Sequence, residues 1–150
     1  MSVVHYFAYG SNMRSSQIQE RCPGARLVGP ARLLGHALDF TRWSDRWGGG
    51  VADVIAAADR ETWGGLYVVT QRDLDELDKL EGHPMHYERR TLPVEPITGA
   101  PVEAWVYVVV AKVPRVLPTR AYWQAIVEGA LDCGLPDDYI ATLRALAHAD

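Results

Sequence analysis

The sequence predicts an α+β fold with a mixed, curved or barrel-like sheet. Segments rich in β-branched and aromatic residues, which are typical of strands, outnumber the segments with helical periodicity. The strands do not alternate strictly with helices, which argues against a repeated βαβ arrangement. The 150 residues fit one domain, predicted over 1–150, which is long enough to bury a hydrophobic core without disulfide or metal staples.

The chain is predicted to begin with a buried strand at Val3–Ala8, which is β-branched and aromatic. The following Tyr-Gly-Ser-Asn at 9–12 has the composition of a turn. Ser11 and Asn12 are good N-cap residues, so a helix is predicted over 13–21.

The next part of the chain is predicted to contain strand and turn structure over 26–40 and two strands, 51–57 and 62–70. Residues 41–50 are predicted to form a loop that contains three successive glycines and two tryptophans. Glycine there indicates hinge freedom or close backbone approach, and tryptophan indicates that part of the loop packs down. We expect the loop with Trp43 and Trp47 to close over a site.

A short helix is predicted after Thr70. Leu74, Leu77 and Leu80 recur every three residues and form one apolar stripe, and Gly82 ends the helix.

The last third is predicted to hold two strands and two helices. The strands cover 87–94 and 102–111, with a hairpin-like turn at 98–101. One helix begins at Thr119 and ends at Gly134, and a final helix carries Tyr139, Leu143 and Leu146.

Composition argues against several kinds of partner. The formal net charge is −4 with both signs interleaved, so we expect no nucleic-acid or membrane partner. The longest basic run, Arg89-Arg90, is interpreted as a solvated strand face. The amino terminus lacks the pattern of a signal peptide, so a cytoplasmic location is expected. Cys22 and Cys133 are expected to be reduced thiols, with one disulfide between them left open.

Two motifs are candidates for chemistry. The first is the Tyr-Gly-Ser-Asn motif at 9–12, between a strand and a helix. Gly10 lets a ligand approach the backbone closely, and the free N–H groups at the start of a helix suit an anion or an oxyanion. The alternative is an ordinary capped turn. In the second, Glu81 ends a helix, where the dipole and burial both raise a carboxyl pKa toward that of a general base. The alternative is a surface glutamate.

Other side chains leave their roles open. Tyr87, Tyr107 and Tyr122 each have a hydroxyl for a ligand carboxylate or amine, or belong to the core. His83 and His86 near Glu81 resemble a metal site, but Pro84 breaks the helix that such ligands favour, so no metal is predicted. No motif indicates a nucleophilic serine.

Several blocks, taken in order along the chain, resemble the gamma-glutamylcyclotransferase (AIG2-like) family. They are Tyr6-Phe7-Ala8-Tyr9-Gly10-Ser11-Asn12-Met13, Trp47-Gly48-Gly49-Gly50-Val51-Ala52-Asp53, Trp63-Gly64-Gly65-Leu66-Tyr67, Leu77-Asp78-Lys79-Leu80-Glu81-Gly82, Pro118-Thr119-Arg120-Ala121-Tyr122, Gly129-Ala130, and Gly134-Leu135-Pro136 with Tyr139.

The resemblance implies a small mixed β-barrel with peripheral α-helices, and release of 5-oxoproline from a gamma-glutamyl compound without cofactor or metal. By analogy Glu81 is the catalytic glutamate. The backbone amides of Tyr9, Gly10, Ser11 and Asn12 would hold the gamma-glutamyl group, and Tyr87, Tyr107 and Tyr122 would face the substrate. The linker between Gly82 and Tyr87 has only four residues, 83–86, and is shorter than the corresponding linker of some relatives.

Three functions remain open at this point. The first is a gamma-glutamylcyclotransferase that acts, as monomer or homodimer, on a small gamma-glutamyl amino acid, peptide or amine. The second is a pathway enzyme that removes a gamma-glutamyl protecting group from a specialised metabolite. The third is a non-catalytic module that binds a small acid in the same pocket.

Overall fold

The structure, a computed structural model, describes residues 3–150. Met1 and Ser2, part of the segment predicted not to be a signal peptide, lie outside the described residues. No helix in the described part of the chain is long and apolar enough to cross a bilayer. The elements are β1 Val3–Ala8, a 3₁₀ helix Ser11–Met13, α1 Ser15–Arg21, β2 Arg26–Ser44, β3 Gly49–Thr70, α2 Gln71–Glu81, β4 Tyr87–Pro96, β5 Val102–Val109, α3 Arg120–Cys133 and α4 Asp137–Arg144.

The five strands form a closed barrel in the order β1-β3-β2-β4-β5. The barrel is mixed because β1 pairs with β5 in parallel, through Tyr6 and Trp105, whereas the other pairs are antiparallel. The predicted α+β fold with a mixed barrel is therefore confirmed. The barrel interior is filled by apolar side chains such as Phe7, Leu33 and Leu66, each almost fully buried.

The predicted loop at 41–50 is wrong, because these residues belong to a long β-hairpin. β2 continues to Ser44, β3 begins at Gly49, and a tight turn joins them. Gly48 takes the positive φ of 71° that this turn needs. Gly50 serves close approach instead, since a Cβ there would overlap the carbonyl oxygen of Val116.

The two strands predicted at 51–57 and 62–70 form one strand of 22 residues, β3. Its pairing with β2 shifts in register between Leu34 and His36, opposite the segment predicted to separate the strands. An irregularity of this kind bends a strand without ending it, so β3 continues through residues 58–61.

The helix starts and stops were predicted more accurately than the helix faces. Thr70 caps α2 by accepting from the amide of Asp73 at 3.1 Å, and Gly82 ends the helix with a φ of 67°. Leu74 and Leu77 are fully buried, but Leu80 is 46% exposed. A spacing of three residues drifts around a 3.6-residue helix, which turns Leu80 about 120° away from Leu74.

The helix predicted over 13–21 begins later than expected. The 3₁₀ helix comes first, and Arg14 is the N-cap residue of α1. Ser11 and Asn12 therefore do not cap α1 with their side chains. The helices α3 and α4 and the strands β4 and β5 confirm the predicted elements of the last third. Both cysteines are buried free thiols, so no disulfide joins them.

Candidate active site

One cavity of about 350 Å³ opens between residues 9–12 (the Gly10 segment), the end of α2 and the turn of the β2–β3 hairpin. All the residues predicted to be catalytic or substrate-binding line this cavity. They are Tyr9, Gly10, Ser11, Asn12, Glu81, Tyr87, Tyr107 and Tyr122. The barrel thus brings together residues that lie far apart in the sequence, and the short linker before Tyr87 still places that tyrosine at the cavity.

The Gly10 segment forms one wall of the cavity and is tightly packed. A Cβ on Gly10 would lie 3.2 Å from both the Ala52 Cβ and the Tyr122 Oη, so a larger residue would push these groups aside. The amides of Met13 and Arg14 donate to the carbonyls of Gly10 and Ser11. Within residues 3–150 the amides of Gly10, Ser11 and Asn12 have no acceptor, so they are free to bind a negatively charged group.

Side chains behind the segment hold it in place. Gln17 Nε2 donates to Ser11 Oγ at 2.7 Å and to Asn12 Oδ1 at 2.9 Å. Arg21 Nη1 also donates to Asn12 Oδ1, and Asn12 Nδ2 donates to the hydroxyl of Tyr6. These bonds fix the side chains of Ser11 and Asn12, so the segment that carries the backbone amides is held in place.

Glu81 is the last residue of α2, is partly buried and points into the cavity. Burial raises the pKa of its carboxyl group to about 7, while the guanidinium groups of Arg21, Arg42 and Arg46 act in the opposite direction. Hence burial, one of the two causes predicted, is the main one. A carboxyl group that titrates near neutrality can both accept and return a proton.

The backbone amide and carbonyl of Ala52 organise the tyrosines at the base of the cavity. Tyr87 Oη donates to the Ala52 carbonyl at 2.7 Å, and the Ala52 amide donates to Tyr122 Oη at 2.9 Å. Tyr9 Oη donates to the carbonyl of Tyr107 at 2.5 Å. The neighbouring Asp53 is fully buried and accepts from Thr41 Oγ1 and from Lys112 Nζ, which fixes this part of β3.

These bonds separate the tyrosines into two kinds. Tyr9, Tyr87 and Tyr107 donate their hydroxyl hydrogens to protein oxygens, so toward a ligand they can act only as acceptors, for example of an ammonium group. Tyr122 and Tyr6 accept hydrogen bonds from the protein and keep their own hydrogen for a ligand carboxylate or carbonyl. The sequence did not distinguish the three predicted tyrosines from one another, and it did not single out Tyr6.

Basic side chains at the cavity were also missed. Arg21, Arg42, Arg46 and Lys79 all line it. Arg42 and Arg46 come from the hairpin that was taken for a loop, and no motif marked them. Neither guanidinium has a carboxylate within salt-bridge distance in residues 3–150.

The two tryptophans of the hairpin differ in position. Trp47 lines the cavity and packs edge-to-face on Tyr122, with 4.9 Å between ring centroids. Trp43 is 54% exposed and does not line the cavity, so its predicted place over the site is wrong. Alternate residues of a strand point to opposite sides, and the turn after Ser44 returns only Trp47 to the cavity.

The two histidines near Glu81 also differ. His83 Nδ1 accepts from the amide of Arg89 at 3.2 Å, and His86 lines the cavity. Within residues 3–150 no three side chains form a group that could hold a metal ion.

Comparison with known proteins identifies the family to which this chain belongs. A profile of the AIG2-like family matches residues 61–143. A mouse gamma-glutamylcyclotransferase is 31% identical over 146 residues, which cover 94% of this chain and 77% of that protein. This chain belongs to the gamma-glutamylcyclotransferase family.

The human gamma-glutamylcyclotransferase gives the same result, with 31% identity over 97% of this chain and 79% of the human protein. A solved structure of a gamma-glutamyl cyclotransferase superimposes with a TM-score of 0.94 at 29% identity, over 99% of this chain and 90% of the other. The family resemblance predicted from the sequence is therefore confirmed, and the chain is an enzyme of this class.

Proposed function

We propose that this gamma-glutamylcyclotransferase relative releases 5-oxoproline from a gamma-glutamyl compound, with Glu81 as general base and general acid. The observation that carries the proposal is the position of Glu81, whose pKa is near 7, in the same cavity as the free amides of the Gly10 segment. Glu81 transfers the protons, and the amides of the Gly10 segment bind the negative charge that develops on the carbonyl oxygen.

The reaction begins with the substrate's α-ammonium group, which gives a proton to the Glu81 carboxylate. The free amine then attacks the γ-carbonyl carbon of the same molecule and closes a five-membered ring. Hydrogen bonds from the amides of Gly10, Ser11 and Asn12 stabilise the oxyanion. Because the nucleophile belongs to the substrate, the chain needs no nucleophilic side chain.

Collapse of the tetrahedral intermediate breaks the bond between the γ-carbon and the leaving nitrogen, and protonated Glu81 supplies a proton to that nitrogen. Over the whole reaction the attacking nitrogen loses two protons and the leaving nitrogen gains two. The Glu81 carboxylate is therefore regenerated with no net proton uptake. The cavity contributes by holding the substrate in a ring-closing conformation.

Charged groups of the glutamyl part have matching partners in the cavity. The hydroxyl oxygens of Tyr9, Tyr87 and Tyr107 suit the α-ammonium group as acceptors. Arg42 lies close enough to lower the pKa values of both Glu81 and Tyr87, and it suits the α-carboxylate of the glutamyl group.

The test is release of 5-oxoproline from a panel of gamma-glutamyl amino acids, peptides and amines. We expect turnover by the wild type and a loss of about 100- to 10,000-fold in Glu81→Gln, the range of general acid–base catalysis. The exposed Glu103, changed to Gln, is the matched control and should keep wild-type activity.

Equal activity of Glu81→Gln and the wild type would show that the mechanism is wrong. If the wild type converts no compound of the panel, the proposed activity fails as well. Binding of 5-oxoproline or glutamate without any turnover would then favour the small-acid-binding module.

A further inference from the structure

A second cavity of about 620 Å³ continues outward from the first. Five residues line both cavities and mark their junction: Arg21, Arg46, Trp47, Lys79 and Leu80. Neither Glu81 nor the Gly10 segment reaches the second cavity. A substrate with its glutamyl group at Glu81 would therefore extend its leaving group through this junction.

The junction is positively charged although the whole chain is not. The formal net charge of the chain is −4, yet the first, inner cavity is lined by four cationic side chains and two carboxylates, Asp45 and Glu81. The second cavity likewise has four cationic side chains and two carboxylates, Glu20 and Glu76. Three of the cations, those of Arg21, Arg46 and Lys79, lie at the junction. An anionic leaving group would meet a favourable potential there, and a cationic one would meet repulsion.

Arg46 is the junction cation that is free to bind. Arg21 donates to Asn12 Oδ1 at 2.9 Å, and Lys79 pairs with Glu76 at 3.1 Å. Asp45, the nearest carboxylate in sequence, accepts from Trp43 Nε1 at 3.0 Å, and Arg46 forms no ion pair in residues 3–150.

The backbone that carries Arg46 is held in place. The Gly48 amide donates to the Ser44 carbonyl at 2.7 Å, and the Trp47 amide donates to Ser44 Oγ at 3.3 Å. The ring of Trp47 is anchored on Tyr122. Arg46 therefore extends from a fixed turn, which lowers the entropic cost of binding through its planar guanidinium.

We propose that Arg46, supported by Arg21 and Lys79, forms a subsite for a carboxylate on the leaving amine. The inference rests on the proposed function and sharpens it: the enzyme distinguishes gamma-glutamyl amino acids and peptides from gamma-glutamyl amines by this charge. Arg42, which lines only the inner cavity, serves the glutamyl part that all these substrates share.

The experiment compares three substrates that differ in the charge of the leaving group, and the first two of them also share its carbon skeleton. They are γ-glutamyl-alanine, which is anionic there, γ-glutamyl-alaninamide, which is neutral, and mono-γ-glutamyl-putrescine, which is cationic. We expect wild-type kcat/KM to be about tenfold higher for γ-glutamyl-alanine than for the amide, as for hydrogen bonds to a charged group, and lowest for the cation. Raising the salt concentration should reduce this preference.

Substitutions of Arg46 and Arg42 then test the leaving-group subsite and the glutamyl-binding part of the site separately. Arg46→Gln should reduce the alanine-to-alaninamide ratio of kcat/KM to about 1–2, and Arg46→Lys should restore part of it because the charge remains. Arg42→Gln should lower kcat/KM for all three substrates and leave the ratio near its wild-type value. The control is Arg72→Gln, which changes an exposed arginine of α2 that lines neither cavity and should keep the wild-type ratio.

A wild-type ratio near one, or a ratio that Arg46→Gln does not change, would overturn the subsite. Binding of the alanine and alaninamide compounds to Glu81→Gln, with and without Arg46→Gln, tests the subsite without turnover. If the wild type cyclises nothing, yet Glu81→Gln binds the alanine compound about tenfold more tightly through Arg46, the subsite stands and the proposed function fails. Equal affinities, or no binding of either compound, would overturn the subsite.

Discussion

Tyr107 donates its hydroxyl hydrogen to Oδ1 of Asp78 at 2.7 Å, and Asp78 lies three residues before Glu81 on α2. Arg89 binds both oxygens of the same carboxylate, at 2.8 and 3.0 Å, and its guanidinium lies over the ring of Trp105. Two strands of the barrel thus hold the helix that carries Glu81. The interpretation of Arg89 as part of a solvated strand face was wrong, because the barrel turns this side chain toward α2.

Tyr107→Phe should lower the free energy of unfolding by about 1–3 kcal/mol, since it removes a hydrogen bond to a charged acceptor. Urea unfolding measures the change. Tyr67→Phe is the control, because the partners of the Tyr67 hydroxyl, Met13 O and Cys133 Sγ at 3.5 Å, are uncharged. Similar losses in both variants would contradict the role of the Asp78 bond.

The activity should rise with pH through an apparent pKa of about 7, set by ionisation of Glu81 in the free enzyme. Glu81 must be a carboxylate to take the proton, so kcat/KM falls as the pH drops below that value. The pH profile of kcat/KM for one substrate measures it. If kcat/KM instead falls only around pH 4.5, the ordinary pKa of a glutamate, burial does not raise the pKa of Glu81 in the enzyme.

The same pKa shift predicts a stability effect of definite sign. Because the folded-state pKa of Glu81 is raised from 4.5 to about 7, folding favours the protonated form, and stability falls as the pH rises through this window. Glu81→Gln, which stays neutral, should therefore be more stable than the wild type at pH above about 7 and similar to it below about 4.5.

Partial exposure of Glu81 screens its charge, so we expect a gain of about 1 kcal/mol, or roughly 2–4 °C in Tm, at the alkaline end. Thermal unfolding across this pH range measures the difference between the two proteins. A constant difference at all pH values would point to a packing effect instead.

Trp47→Ala should lower kcat/KM by about 3- to 10-fold, the equivalent of one lost aromatic pair. Its ring packs against Tyr122 inside the cavity and supports the turn that carries Arg46. Trp43→Ala is the matched control and should change kcat/KM by less than about twofold, as expected for an exposed side chain away from the site. Equal losses in both variants would indicate that the hairpin acts as one lid, as the sequence suggested.

Gly129→Ala should disturb the Gly10 segment from behind. A Cβ at this position would lie 2.5 Å from Met13 Cβ and 2.6 Å from the Arg14 amide nitrogen, so α3 or the 3₁₀ helix must move. We expect a loss of about 1–3 kcal/mol in stability and a fall in kcat at temperatures where the variant is folded. Gln124→Ala, at an exposed position of the same helix, should change neither. A full-rate Gly129→Ala enzyme would show that the segment tolerates displacement.

The sequence by itself determined the elements whose signals are local. Caps at Thr70 and Thr119, the glycines that end α2 and α3, and the β-branched runs of β1 and β5 depend on neighbours within a few residues. The ordered family blocks added the barrel and marked Glu81. Its roles and those of the other site residues stay predictions that the experiments above test.

Only the tertiary structure decided which side chains share the cavity and what each can do there. Pairing across the barrel turned residues 41–50 into a hairpin and placed Arg42, Arg46 and Trp47 beside Glu81. Hydrogen bonds from distant segments decided that Tyr87 and Tyr107 give away their hydrogens, whereas Tyr122 keeps its own. The pKa of Glu81 follows from burial, a property of the packed chain that no sequence spacing encodes.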